Sequence, residues 1–269
     1  MITENKFPIR LVGLDLDGTL LNEKFELNPT VVDAFKRARQ AGIQVIVVTG
    51  RDLNSALPFL RRLEADKTVI TSGGAQIWLD GSLIRQTSFT RGQTRKLLSI
   101  GVEFGAGLYV DQPSHSWRFG ARYYTDMYNH VSDSVEIKDA RVLLEPPPFK
   151  ISIIQEPSIL EQIRARLSVR YPGFTLTAPF PQVLDVNPVG CNKGAALEYL
   201  ARRMGIDLGQ IAVVGDSEND LSMFTISSHT YAMGNAAPVL RNLAKVQAPA
   251  NKDDGAAWVL DKILRDQNI

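Results

Sequence analysis

The chain has 269 residues, 44% of them hydrophobic and 22% charged, with a formal net charge of +1. This is the composition of a globular protein able to build one or two cores, and it excludes recruitment of nucleic acid or an anionic membrane by bulk charge. A single cysteine, Cys191, excludes an intrachain disulfide, the apolar runs are strand-sized, and Glu4, Asn5 and Lys6 interrupt any signal-peptide core, so the expected setting is cytoplasmic.

The N-terminal third alternates between two periods. Residues 9–14 read as a buried strand. Asn28-Pro29 is an N-cap with proline at the first helical position. Val31, Ala34, Phe35 and Ala38 then recur at helical spacing until Gly42. Residues 43–48 form a β-branched run of the kind found in parallel sheets buried on both faces. Leu53, Ala56, Leu57 and Leu60 make another helical stripe, its beginning bent by Pro58, and residues 68–71 are a short third strand. Strand, helix, strand, helix, strand is the pattern of a doubly wound α/β sheet.

From residue 85 to 186 this alternation is lost. Aromatic and polar clusters, the Pro146-Pro147-Pro148 break and strand-like runs at 108–110, 150–154 and 175–177 read as an inserted α+β domain. The first pattern then resumes, with a helix over 192–203, strands over 210–214 and 230–233, a short helix over 221–224 and a final helix over 255–264. The expected architecture is a mainly parallel, Rossmann-like core made of 1–84 and 187–269, carrying 85–186 as a cap.

Four short segments follow strands of that core or open its helices. The first is Asp15-Leu16-Asp17-Gly18-Thr19, where an apolar strand ends in two carboxylates two residues apart. Side chains at i and i+2 share a face of a strand, and two carboxylates about 4 Å apart repel by roughly 4 kcal/mol at an effective dielectric near 20. Their juxtaposition needs a cation, a shared proton or a chemical use. The others are Thr49-Gly50-Arg51, Asn192-Lys193-Gly194, and Gly215-Asp216-Ser217-Glu218-Asn219-Asp220. Each suits a phosphate monoester at the carboxyl edge of an open sheet. Asp15 is the candidate nucleophile. Asp15, Asp216 and Asp220 form a hard-oxygen site suited to Mg²⁺. Thr49 and the Gly50 amide can hydrogen-bond phosphoryl oxygens, and Lys193 adds positive charge near a helix N-terminus. Asp17 would protonate the leaving alcohol and then activate water.

Together these segments resemble the haloacid dehalogenase-like hydrolase superfamily, and within it the Cof-type branch with a large inserted α+β cap (type IIB). The resemblance spans the chain through LVGLDLDGTLL, VIVVTGR, CNKGAAL, VVGDSENDLSMF, YAMGNA and NKDDGAA. It implies a Mg²⁺-dependent phosphatase of small phosphorylated metabolites, with sugar phosphates the first expectation. It also implies that the main-chain carbonyl of Asp17 joins Asp15, Asp216 and Asp220 at the metal, and that Asn219 contacts substrate. Gly73 stands where many relatives have asparagine, which leaves open any polar contact from that loop. Dehalogenase-like members lack an acid at the position of Asp17, and ion-pumping ATPases carry threonine there, so Asp17 implies rapid turnover. A phosphosugar mutase remains an alternative, as does a phosphometabolite-binding or regulatory protein with little turnover.

Other features carry blander readings. Cys191 is a small half-buried filler, and His115, His130 and His229 lack metal-ligand spacing. Residues 115–124 form an amphipathic cap element, Gly101, Gly105 and Gly107 a loop, and residues 261–266 a solvated helix face. The expected partner is a small phosphorylated metabolite, with neither nucleic acid nor membrane, and the chain is expected to act as a monomer or small homo-oligomer.

Overall fold

A computed structural model describes residues 8–121 and 134–269. It contains two sheets. The first has eight strands in the order β14-β13-β12-β1-β2-β3-β4-β5. At its centre lie β1 (Leu11–Leu14), β2 (Gln44–Val48) and β12 (Ile211–Gly215), flanked by β3 (Val69–Thr71), β13 (His229–Ala232) and β14 (Val246–Gln247). These six are parallel. The apolar runs of β1, β2, β3 and β12 are buried on both faces, as the sequence pattern anticipates. The doubly wound α/β core with an inserted cap is therefore the observed fold.

Helix α1 (Pro29–Gln40) buries the expected stripe of Val31, Ala34, Phe35 and Ala38 and packs against the last helix, α8 (Gly255–Asp266). Asn28 occupies the N-cap position of α1 without making a side-chain cap. Its amide is drawn instead to Asp254 Oδ1 at 2.7 Å, tying the two helix starts together. Helix α2 (Leu53–Arg62) is capped by Asp52, which accepts from Ser55 N, and Pro58 lies inside it.

One part of the core was not legible in the pattern. After β3 the chain turns back as an antiparallel hairpin, β4 (Gln76–Leu79) and β5 (Ser82–Gln86), which adds two strands to the core sheet. Strand β5 runs two residues past the expected boundary after 84. Its alternation is weak because most of its side chains are exposed.

The second sheet has the order β10-β11-β9-β6-β7-β8. Its middle strands are β6 (Gly107–Asp111), β9 (Lys150–Ile154) and β11 (Val183–Asn187), with β10 (Thr175–Phe180), β7 (Ser116–Gly120) and β8 (Ser134–Glu136) outside them. One face holds Leu108, Val110, Ile151, Ile153, Leu184 and Val186. These form a second apolar core with Leu97 and Ile100 of α3 (Arg91–Glu103) and Leu160, Ile163 and Leu167 of α4 (Pro157–Arg170). The opposite face carries Asp111, Lys150, Ser152 and Asp185, all buried.

The three glycines read as a loop divide differently. Gly101 lies within α3 and Gly107 opens β6, while only Gly105 lies between the two elements. A Cβ on Gly101 would collide with Leu108, so the residue serves close packing of helix on strand. In the 115–124 element, Trp117 and Phe119 pack on the cap core, while Arg122, Tyr123, Tyr124 and His130 fall outside the described residues. No helix among the described residues is long and apolar enough to cross a membrane.

Candidate active site

Register brings the motifs together. Leu14 of β1 pairs with Val214 on one side and Val47 on the other. Because all three strands are parallel, Asp15, Asp216 and Thr49 emerge at one edge of the sheet. Beyond β1 the chain leaves the sheet, and Gly18 turns it at φ +80°. A Cβ on Gly18 would also overlap the Asp216 carboxylate, so glycine is required there twice over.

Lys193 is the first residue of α5 (Lys193–Arg203), whose N-cap Asn192 accepts from Ala195 N. Its side chain is 1% exposed, and its ammonium donates to Asp15 Oδ1 at 2.5 Å, Asp220 Oδ1 at 2.6 Å and Asn219 Oδ1 at 2.8 Å. Those contacts engage all three of its donors, so a phosphoryl oxygen would have to displace one of them. The other oxygen of Asp220 accepts from the Asp216 and Ser217 amides at 2.9 and 3.0 Å. Asp216 Oδ1 accepts from the Thr19 hydroxyl at 3.0 Å.

Asp15, Asp216 and Asp220 each offer an oxygen, and these lie within 4.8 Å of one another. Three carboxylates around one ammonium leave an excess of negative charge, and the donor set is oxygen alone. That chemistry fits a hard divalent cation. The electrostatics agree. Burial raises the Asp15 carboxyl well above its ordinary range; Lys193 opposes the rise, while Asp220, Asp216 and Asp17 add to it. Burial, then repulsion from Asp220, pushes Asp216 up to about 7. Burial works against the charge on Lys193, yet Asp15 and Asp220 outweigh it and hold the ammonium above its ordinary value.

The side chain of Asp17 stands outside this cluster. Arg51 holds it, with Nε donating at 2.8 Å to Oδ2 and Nη2 at 2.6 Å to Oδ1. The guanidinium lies 5.0 Å from the Phe59 ring centroid and 5.9 Å from that of Phe25. This pairing was missed in the sequence, although Arg51 directly follows Thr49-Gly50. Thr49 is fully buried, and its hydroxyl oxygen accepts from Arg51 N at 3.0 Å, leaving its own proton to donate. The loop after β3 buttresses this segment, with Ser72 N donating to Arg51 O and Gly73 N to Thr49 O. Asn187 of β11 donates to Ser72 O at 2.9 Å. Its amide oxygen lies 3.0 Å from where a Cβ on Gly73 would be, so Asn187 takes up the polar space beside that glycine.

Above the cluster lies a cleft of about 210 Å³ lined by both domains, including Asp15, Asp17, Gly50, Arg51 and Asn219 from the core. That is below the roughly 300–1,000 Å³ of drug-sized sites and suits a small ligand. Thr49 and Lys193 lie beneath its surface. From the cap, Lys150 pairs with Asp185 at 2.9 Å and donates to the Gly50 carbonyl at 2.8 Å. Ser152 steadies Asp185 at 2.6 Å. The signal for this pair was a charge within each of two otherwise buried strands. A second tie joins Arg164 of α4 to Glu218 at 2.6 Å. Cys191 is more buried than expected, and burial pushes its thiol up to about 12.

Known proteins resemble this chain over nearly its whole length. Phosphoglycolate phosphatase of Pyrobaculum aerophilum is 30% identical over 258 residues, covering 95% of this chain and 96% of that protein. The 5-amino-6-(5-phospho-D-ribitylamino)uracil phosphatase YcsE of Bacillus subtilis is 24% identical, covering 94% of this chain and 96% of that protein. A solved haloacid dehalogenase-like hydrolase from B. subtilis superposes with a TM-score of 0.87 at 24% identity, over 94% of this chain and 99% of that one. The haloacid dehalogenase-like hydrolase family matches residues 12–260, and the chain belongs to that family, in its Cof-type branch.

Proposed function

We propose that this protein is a Mg²⁺-dependent phosphatase that hydrolyses small phosphate monoesters through an aspartyl-phosphate on Asp15. The observation that carries the reading is the buried Asp15 carboxylate, bound to Lys193 within a three-carboxylate cluster and facing a cleft lined by core and cap. Its relatives include named phosphatases of small phosphorylated metabolites.

Asp15, Asp216 and Asp220 would hold the metal, with the Asp17 main-chain carbonyl added by family resemblance. Bound there, Mg²⁺ would neutralise the carboxylates and screen the incoming phosphate dianion. The chain's own residues do the rest. The Thr49 hydroxyl, the Gly50 amide and Lys193 hold the phosphoryl oxygens. The Asn219 side-chain oxygen accepts from Lys193 and Ser217, and its NH₂, which has no hydrogen-bond partner among the described residues, can donate to substrate. The Asp15 carboxylate attacks phosphorus as the bond to the leaving oxygen breaks, and Asp17 delivers a proton to that oxygen. Asp17 then takes a proton from water, which attacks phosphorus, releases inorganic phosphate and restores Asp15. Arg51 fixes the position of the Asp17 carboxyl group, which enters the first transfer protonated, becomes a carboxylate by giving that proton up, and regains it from the attacking water.

The test is phosphate release from a panel of sugar phosphates, nucleotides and acetyl phosphate, with Mg²⁺ and with chelator. Metal-dependent release is expected. Product isomers without free phosphate would favour a mutase, and binding without turnover would favour a regulatory protein.

A further inference from the structure

Lys150 stands on the cap strand β9 but reaches out of its own domain. Its side chain and that of Asp185 are each 5% exposed, and beyond that pair its ammonium donates to the Gly50 carbonyl of the core at 2.8 Å. A buried ion pair is by itself a weak source of stability. What sets this one apart is that the cap holds its ammonium at the domain boundary. Ser152 donates to Asp185 at 2.6 Å. Asp111 stands directly across the β6–β9 ladder from Lys150 and is steadied by the Ser116 hydroxyl at 2.6 Å.

The carbonyl that Lys150 grips belongs to the peptide group joining Gly50 to Arg51, a rigid plane whose other polar end is the Arg51 N–H. That N–H donates to Thr49 Oγ1 at 3.0 Å. The same peptide sets the root of the Arg51 side chain, which holds Asp17. Glycine leaves the backbone permissive at this point, and nothing crowds it. A Cβ on Gly50 would lie 3.8 Å from Asn219 Nδ2 and 4.0 Å from Asp185 Oδ2, both ordinary contacts. The orientation of the plane therefore rests on the hydrogen bonds at its two ends. Turning it would withdraw the Arg51 N–H from Thr49, release the Thr49 hydroxyl to rotate, and move the root of Arg51 away from Asp17.

We propose that Lys150 is a positioning residue for the reaction: seated from the cap on the Gly50 carbonyl, it fixes the Gly50–Arg51 peptide and through it aims the Thr49 hydroxyl and the Arg51–Asp17 pair. This assignment rests on the phosphatase reading and adds a cap residue to its machinery. Thr49 and the water-activating step of Asp17 serve every ester alike, so the effect falls on kcat whatever the leaving group. A misplacement of about 1 Å at a reacting group can cost about 10²-fold.

The experiment measures kcat and KM of the full chain with Mg²⁺ on whichever of acetyl phosphate, ribose 5-phosphate and cytidine 5′-monophosphate wild type hydrolyses fastest. Lys150→Met should lower kcat at least tenfold and change KM by less than threefold. In an Arg51→Gln background the same substitution should cost at least threefold less, because part of its effect runs through Arg51. A charge-balanced variant, Lys150→Met with Asp185→Asn, should lose kcat as Lys150→Met does, since the Gly50 carbonyl is released in both. Thermal unfolding checks each fold, and the balanced variant is read in place of Lys150→Met if the latter does not fold. A kcat loss below tenfold, a larger change in KM than in kcat, an equal cost in both backgrounds, or recovery in the balanced variant overturns the proposal and leaves the phosphatase reading intact. No release from any of the three esters by wild type overturns the phosphatase reading and this proposal with it.

Discussion

Replacing Lys193 by methionine would remove the one ammonium among three buried carboxylates and leave the volume nearly filled. Three hydrogen bonds are lost, and Asp15 and Asp220 lose their only ion-pair partner among the described residues. Breaking a buried pair by deleting one partner costs about 3–5 kcal/mol. The cheapest response open to the cluster is to bind a proton. Holding one on a carboxylate of ordinary pKa near 3.9 at pH 7 costs about 4 kcal/mol, at about 1.4 kcal/mol per unit, and the two routes agree. A chain of this size should lose of order 10 °C in Tm. The sign with pH follows. A proton taken up only in the folded state costs less as pH falls, so the penalty at pH 5 should shrink to about 1.5 kcal/mol. Urea unfolding of wild type and Lys193→Met in chelator at pH 7 and pH 5 measures both. A penalty under about 1 kcal/mol at pH 7, or one that does not shrink at pH 5, would refute the role assigned to Lys193 as counter-charge.

Asp15→Asn should abolish turnover and keep the fold; more than about a tenth of wild-type kcat would remove Asp15 as nucleophile, since a tenfold effect is far below what a lost nucleophile causes. Burial places Asp216 up to about 7, and a ligand must shed its proton to bind metal. Mg²⁺ affinity by titration calorimetry should therefore rise with pH through that value, by about tenfold per unit below it; a flat response sinks the assignment. Arg51→Gln should lower kcat by about 10²-fold or more, the scale of general acid–base catalysis, with Mg²⁺ affinity nearly unchanged, and parallel losses in both would show a structural role instead. Removing the half-exposed Arg164–Glu218 tie should shift stability by no more than about 1 kcal/mol; a larger loss on urea unfolding would show the tie carries the domain interface.

The fold was legible where side-chain period reports burial. β1, β2 and β12 read as continuous apolar runs because both their faces are covered, and α1 showed its buried stripe residue by residue. The β4–β5 hairpin was hidden because β5 buries little. Within the site, Asp15, Lys193, Asp216 and Asp220 could be placed from local context, since each stands at a strand end or a helix start. The pairs Arg51–Asp17 and Lys150–Asp185 join residues 34 and 35 positions apart across irregular backbone or between strands. Nothing local in a sequence reports such a pairing, only that a charge stands where its neighbours are buried.

The two-faced cap sheet separates two kinds of inheritance. Its apolar side chains belong to a core of their own, distinct from the cluster around the parallel sheet, and from its polar face Lys150 and Asp185 line the cleft above Asp15. Changes on that polar face alter what the cleft admits without disturbing how either core is filled. If the cleft holds a phosphate ester as proposed, editing a few cap positions exchanges one metabolite for another while the aspartates below stay as they are.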